Sequence, residues 1–405
     1  MGLLEGVKVI DFTTYIAGSS CSRILADWKA DVIKIEPLRG ELFRIWGRTL
    51  GAPIEPDENP MFEVGNANKK GIALNVKSEE GLHILHELIS NADVFVSNYR
   101  IQALENLHLT YEELHGKYPG LVYAFLNGYG ADGGLSRHPG FDVISFWARG
   151  GILGYLGEPN ASPVSSLPAG GDMITGSYLA GGILAALYGR RRTGLGEKVE
   201  TSLYNGAIWS AGLHCALGND LEDLKKSRAK PDSPLENSYC SADGVWFVLS
   251  VADFEAWPVL CRAIGLEELS GDERFATYEA ILHNSEVLTS VLDRVFGGMD
   301  AEAIHERLRG AGIEYAPVFS AHEVNADGQA FDNDYLRYVT MPNGNTVPLP
   351  TPPCNFAREG RLAWERAPHV GRDTESVLRG LGYGGDEIQN LCERGVISCG
   401  TDGPA

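Results

Sequence analysis

The residue with the most evident chemistry is Asp172. It sits in "AGGDMITGSYLAGGILAALYGRRRTG", residues 169–194, between a glycine pair and a long apolar stretch of small residues. The glycines allow another group to approach the backbone closely. The helix predicted over residues 173–189 aims unpaired N–H groups and a positive dipole end at the aspartate. Such a position favours a carboxylate and any oxyanion formed beside it. Simple N-capping accounts for the same residue, because Asp is a preferred cap. The residue by itself leaves both readings open.

The other motifs exclude more than they assign. "GYGADG" at 128–133 matches GxGxxG after a predicted strand, but "GLSRHPGFD" after it is loop-like and does not open a helix. A turn with glycines at positive φ is the expectation there. The chain has no GxxxxGK[ST] phosphate loop and no GxSxG elbow. The ten histidines make no HExxH pattern, and His83 and His86 fall on a polar helix face, so no metal site is expected.

The elements that would position Asp172 alternate. "VKVIDF", "ADVIKIEP", "DVFVSN" and "LVYAFLNGYG" read as strands, with helices in "SSCSRILADWK" and "SEEGLHILHELISNA". Strands separated by helices predict a doubly wound, Rossmann-like parallel sheet, an α/β fold that binds ligands beyond the carboxyl ends of its strands. After the long helix come a turn, a strand and a helix in "TGLGEKVETSLYNGAIWSAGLHCAL". The reading is a large domain over residues 1–225 and a smaller α+β domain over 226–330. A return segment, 331–405, completes the first, and its "NGNTVPLPTPPCNF" is too broken by proline for a central strand.

Composition limits the function. The net charge is −20, which disfavours nucleic acid and anionic membranes as partners. The odd number of scattered cysteines (Cys21, Cys215, Cys240, Cys261, Cys354, Cys392 and Cys399) fits reduced thiols better than a disulfide framework. "MGLLEGVKVIDF" does not read as a signal peptide, and Met173 to Tyr188 is too short and too rich in glycine for a membrane span. A cytoplasmic protein is the expectation.

Around the aspartate, "GDMITGSYLAGGILAALYGRRRTGLGEKVETSLYNGAIW" resembles a segment of the family III CoA-transferases, which include formyl-CoA and carnitine CoA-transferases. The likeness extends along nearly the whole chain through "GVKVIDFTTYIAG", "LADWKADVIKIEP", "NANKKGIALNVKSEEG", "ADVFVSNYR", "YPGLVYAFLNGYG" and "PGFDV". "DENPMFEVGNANKKGIALN", "GFDVISFWARGG" and "DNDYLRYVTMPNGN" bring it nearest to the branch acting on 2-hydroxy acids, of the 2-hydroxyisocaproate and phenyllactate type.

The resemblance implies that Asp172 is the nucleophile and that coenzyme A and acyl-CoA enter as substrates, with no tightly bound cofactor. It implies CoA contacts at Tyr15, Ile16 and Ala17, at Lys69, Ala73, Leu74, Asn75 and Val76, and at Asn98 and Tyr99, with Arg137 as a further basic contact. Where formyl-CoA transferase has basic residues, this chain has Pro37 and Asn106, for which Arg39, Arg44 and Arg100 are the candidate replacements. That enzyme's glycine-rich covering loop has no counterpart between Asp232 and Val251, which leaves "PLENSY" or a partner-chain loop as candidate covers. Phe146, Trp147, Tyr155, Tyr204 and Trp209 are candidates for the acyl pocket or for the core. The family's interlocked homodimer is expected. Two alternatives stand beside transfer. One is an α-methylacyl-CoA racemase-like enzyme, which Phe141 disfavours by occupying the place of that enzyme's proton-carrying histidine; the other is a non-catalytic CoA-binding protein.

Overall fold

Runs of β-branched and aromatic residues build most of the six parallel strands: β1 (Lys8–Phe12), β2 (Asp31–Glu36), β3 (Lys70–Leu74), β4 (Val94–Ser97), β5 (Val122–Asn127) and β6 (Lys198–Ser202). The computed structural model describes residues 2–48, 51–52, 54–217, 225–358, 360 and 363–400. The strands lie in the order β3-β2-β1-β4-β5-β6, with a two-residue antiparallel strand, Ile397–Ser398, on the β3 edge. This is the doubly wound order, and its direction reverses between β1 and β4, where Val9 pairs with Val32 on one side and Val94 on the other. The expected Rossmann-like sheet is therefore present. β3 was not among the strands read from sequence; its "KGIAL" is short and carries glycine and alanine, which are poor strand formers.

Alternation along the strands sorts side chains to the two faces. Val9, Val94, Val96 and Ala124 pack with Leu25, Leu179 and Ile183 of the helices Ala17–Asp27 and Gly170–Thr193. Ile10, Phe12, Phe95 and Phe125 pack on the other face with the helix Glu79–Ser90 and with Leu378 and Leu391 of the C-terminal helices. The two helices of the first face pack closely because Gly176 has no side chain. A Cβ there would meet Ser20 Oγ at 2.1 Å.

The chain divides into two compact units. The larger comprises residues 1–154, 165–215 and 328–405, and the smaller 155–164 and 216–327. The larger also holds an antiparallel hairpin of β10 (Leu336–Thr340) and β11 (Thr346–Pro350), so part of the proline-broken return is strand. The smaller contains the antiparallel strands β7 (Glu236–Cys240), β8 (Trp246–Ser250) and β9 (Glu314–Pro317), with helices Trp257–Ala263, Ser285–Phe296 and Ala301–Gly310 around Tyr239, Phe247 and Phe296. "PLENSY" runs into β7, with Leu235 and Tyr239 fully buried in that core, so it is a core segment and not a loop.

Candidate active site

A cavity of about 540 Å³ opens at the carboxyl ends of β1, β4 and β5, where this topology places ligands. Tyr15, Asn98, Tyr99, Arg100, Phe141 and Asp172 are in its wall. The turn after β1 is fixed by its neighbours. Asn98, at the end of β4, accepts from Thr14 N at 2.9 Å and donates to Thr14 O at 2.7 Å. Glu41 accepts from Tyr15 N and from Thr14 Oγ1, both at 2.7 Å. Held this way, Tyr15 has φ +58°, a strained value for a non-glycine residue and one that recurs at ligand sites. Its ring meets Phe141 edge to face at 6.2 Å.

Beneath this turn lies a closed set of ions. Lys69 Nζ donates to Asp11 Oδ2 at 2.7 Å, to Ser19 O and to Asn66 Oδ1, and Lys34 pairs with Glu41 at 2.7 Å. All four charged groups are buried. Burial pushes the Asp11 carboxyl up, but Lys69 and Lys34 outweigh it and hold it at about 2. Burial pulls Lys69 down to about 8. Burial acts on Lys34 in the same way, yet Glu41 and Asp11 keep it above the ordinary lysine value.

Asp172 lies in a different setting. The long helix starts at Gly170, three residues earlier than the sequence pattern indicates, with Ala169 before it at φ +55°. Asp172 is thus inside the first turn and is not the cap. The cap comes from Asp142, on the π-helical turn Asp142–Ala148. Its Oδ1 accepts from Asp172 N at 2.9 Å and its Oδ2 from Trp147 Nε1 at 2.9 Å, with the backbone N–H groups of Gly171 and Ala169 also directed at it. Gly171 makes room: a Cβ there would meet Asp142 Oδ1 at 2.5 Å and Phe146 Cγ at 2.2 Å. The helix N–H groups expected to face an oxyanion are therefore directed at Asp142.

The Asp172 carboxyl accepts no hydrogen bond and pairs with no cation among the described residues. Burial, and then the negative charge of Asp142, push it up to about 7. Burial also raises Asp142. A half-buried aspartate in a cavity wall with no partner and a raised basicity is suited to nucleophilic attack on an activated acyl group.

Comparison with known proteins shows the family. The model of CoA-transferase family III matches residues 4–374. The chain belongs to CoA-transferase family III. It is 38% identical to the (R)-2-hydroxy-4-methylpentanoate CoA-transferase of Clostridioides difficile, over 98% of this chain and 99% of that one. It is 34% identical to the cinnamoyl-CoA:phenyllactate CoA-transferase of Clostridium sporogenes, with 96% of each covered. A CAIB/BAIF family protein from Brucella suis has the same fold, at TM-score 0.81 and 26% identity over 94% of this chain and 99% of that one.

In this CoA-transferase the residues singled out from sequence separate into groups. Tyr15, Ala17, Asn98, Tyr99, Arg100, Arg137 and Asp172 line the cavity together. Ile16 is buried against Phe43 and Phe62, and Ala73 and Leu74 are buried in β3, with Asn75 and Val76 just beyond it; none of these lines the cavity. Lys69 is enclosed by Asp11, Ser19 and Asn66 and presents no free donor to a ligand. Arg44 makes a two-pronged pair with Glu36 at 2.8 and 2.6 Å and is buried outside the cavity wall. Arg39 is exposed and outside the cavity wall. Arg100 is exposed with no charged partner among the described residues, whereas Arg137 pairs with Glu105 at 3.1 Å.

The aromatic candidates fare similarly. Phe146 is core, Trp147 holds Asp142, and Trp209 is 75% exposed. Tyr204 is half-buried with Arg149 over its ring, and Tyr155 falls in the smaller unit. The cavity's aromatic wall comes instead from Tyr15, Tyr99, Tyr111, Phe125 and Phe141. Sequence reasoning missed Asp142, although an acidic residue inside the largely apolar "GFDVISFWA" was a visible signal.

Proposed function

We propose that this protein moves CoA from an acyl-CoA to the carboxylate of a 2-hydroxy acid, with Asp172 as the covalent nucleophile. Asp172 Oδ attacks the thioester carbonyl, the C–S bond breaks, and CoA leaves as thiolate with an aspartyl acyl anhydride behind it. The thiolate then attacks the Asp172 carbonyl carbon, which releases the donor acid and leaves an aspartyl-CoA thioester. The acceptor carboxylate attacks that carbon and frees the thiolate again. Attack of the thiolate on the acceptor's acyl carbon completes the new thioester and restores the Asp172 carboxylate. The observation that carries this reading is the unpartnered, more basic carboxyl of Asp172 in the cavity wall. Such a carboxylate is a stronger nucleophile than a solvated one, and an acylated aspartate is neutral, so acylation relieves its repulsion from Asp142.

The substrate class rests on likeness to the two named 2-hydroxyacyl relatives and on the aromatic wall, which suits a branched or aromatic side chain. Tyr15, Ala17, Asn98, Tyr99, Arg100 and Arg137 are proposed as CoA contacts, with CoA a substrate and not a resident cofactor. A homodimer in the cytoplasm is proposed as well. Exposed Ile208, Trp209 and Leu213 on one stretch of the larger unit support burial against a second copy. The test is a panel of acceptors with an acyl-CoA donor, read by product mass. 2-Hydroxyisocaproate or phenyllactate should outperform formate, oxalate and carnitine, and a preference for oxalate or carnitine would overturn the substrate assignment.

A further inference from the structure

We infer that Asp142 is the positioning residue of the nucleophile: braced by Trp147, its carboxylate caps the long helix from outside and fixes Asp172 in the cavity wall, with its negative charge set against the reacting carboxyl. This rests on the reading of Asp172 as nucleophile and extends it to a second residue.

The geometry is specific. One Asp142 oxygen accepts from Asp172 N and the other from the Trp147 indole, so both oxygens are committed and the side chain has a single orientation. The residue is 7% exposed, and Gly171 leaves the space that its oxygen occupies. Ala169, the residue at the helix's own cap position, offers no side-chain bond, so an outside carboxylate is what fixes the first turn. A helix start already satisfied in this way turns the Asp172 side chain away from the capping role and leaves it without a donor.

The charge has a second consequence. Among the other ionisable groups in the cavity wall are Arg100, Arg137, Glu112, His138 and Lys198, of which Arg137 pairs with Glu105 and Lys198 with Glu200. The charge that acts on the Asp172 carboxyl is that of Asp142. Asp142 therefore sharpens the nucleophile electrostatically while holding its backbone by a hydrogen bond.

The test compares Asp142→Asn, Trp147→Phe and Asp172→Asn. Asp142→Asn keeps an accepting oxygen for Asp172 N but removes the charge and presents an N–H to the Trp147 indole N–H. It should lower kcat by about ten- to a hundredfold, the size of one charge-assisted bond, with acyl-CoA affinity measured by calorimetry unchanged. The acid limb of its pH profile should move to lower pH, because Asp172 loses the neighbour that opposes its ionisation. Trp147→Phe leaves the charge in place and should lower kcat by a smaller factor with the acid limb unmoved. A wild-type kcat in Asp142→Asn, or a lowered kcat with the acid limb in place, overturns the inference and leaves Asp142 a structural cap. Should Asp142→Asn fail to fold, Trp147→Phe decides, and a wild-type kcat there overturns it. A fully active Asp172→Asn would sink the nucleophile itself, which is a different failure from an active Asp142→Asn beside an inactive Asp172→Asn.

Discussion

Asp11 and Asp172 lie in the same unit beside the same strand ends, and their surroundings push them in opposite directions. Asp11 is completely enclosed, yet a lysine at 2.7 Å, the Ser22 hydroxyl at 2.7 Å and the Thr13 hydroxyl satisfy its oxygens, and its acidity rises to about 2. Asp172 is less enclosed, meets no donor at its carboxyl, faces Asp142, and stands at about 7. Burial acts upward on both. The difference is whether the fold supplies a counter-charge. Where it does, the carboxylate is a satisfied ion beneath the turn that carries Tyr15. Where it supplies a like charge, the carboxylate is held in a less stable form that bond formation relieves.

Removing the unsatisfied carboxylate should give the largest effect. Asp172→Asn should lose essentially all transfer while still binding acyl-CoA. Hydroxylamine, which attacks anhydrides and thioesters, should inactivate the unmodified enzyme only when donor is present and leave a hydroxamate on the peptide with Asp172. Inactivation without donor, or a label on another peptide, would undo the covalent mechanism. The same variant should be more stable than the parent at pH 8. A carboxyl raised to about 7 costs folding stability as pH climbs from near 4, its unfolded value, to above 7, and an amide carries no such cost. A simple cap would leave stability nearly unchanged, since Asn and Asp cap a helix about equally well.

The satisfied carboxylate should behave in the opposite way. Asp11→Asn leaves Lys69 buried without its counter-ion, which costs about 3–5 kcal/mol. In a chain of this length that corresponds to a fall in Tm of about 5 °C, and activity per folded molecule should fall far less than in Asp172→Asn. In the parent, Asp11 contributes stability above about pH 4 that is lost as pH falls towards 2. An Asp11→Asn protein that melts with the parent at pH 7 would show that the buried pair holds nothing together.

The comparison also bears on pH dependence at the active site. With Asp172 at about 7, initial rates should rise with pH through neutrality as the carboxylate form fills. A rate that is flat from pH 5 to 8, with binding unchanged, would place the nucleophile in the ordinary carboxylate range and remove the contrast with Asp11.

Much of this contrast was legible in the sequence, and the rest was hidden for physical reasons. The strands of the sheet were readable because "VKVIDF", "DVFVSN" and "LVYAFLN" are dense in β-branched and aromatic residues that both faces of the sheet bury. "KGIAL" was not, because β3 owes its place to register against β2 and not to its own propensity. Asp172 was visible from its glycines. Its environment was not, because the capping carboxylate comes from 30 residues away and the space it fills is defined by Gly171. The lysine at 69 could not be told from a ligand contact by position alone. Only the fold reveals that Asp11, 58 residues earlier, already holds it. Chain proximity says little about which charges will be paired across a parallel sheet.

The smallest expected effects concern the cations at the rim of the cavity, and they ask whether pairing decides function there as well. Arg100 is in the wall, exposed and unpaired among the described residues, whereas Arg137 already pairs with Glu105 and Arg39 lies outside the wall. A charge-assisted bond to a CoA phosphate is worth about 1.5–3 kcal/mol, so Arg100→Ala should lower kcat/KM for acyl-CoA about tenfold or more. Arg137→Ala should cost less, because the free protein already satisfies that guanidinium and CoA must compete with Glu105 for it. Glu105→Gln, which frees Arg137, should then raise acyl-CoA affinity slightly, and Arg39→Ala should change nothing. The effects at Arg100, Arg137 and Glu105 should become weaker as salt is added, since these charges are exposed and screened. Equal losses in the Arg100 and Arg39 variants would mean that CoA is drawn by diffuse charge and not by the cavity wall. A loss in Arg137→Ala larger than in Arg100→Ala would mean that ligand binding breaks the Glu105 pair, and that pairing in the empty protein does not predict which cations the substrate uses.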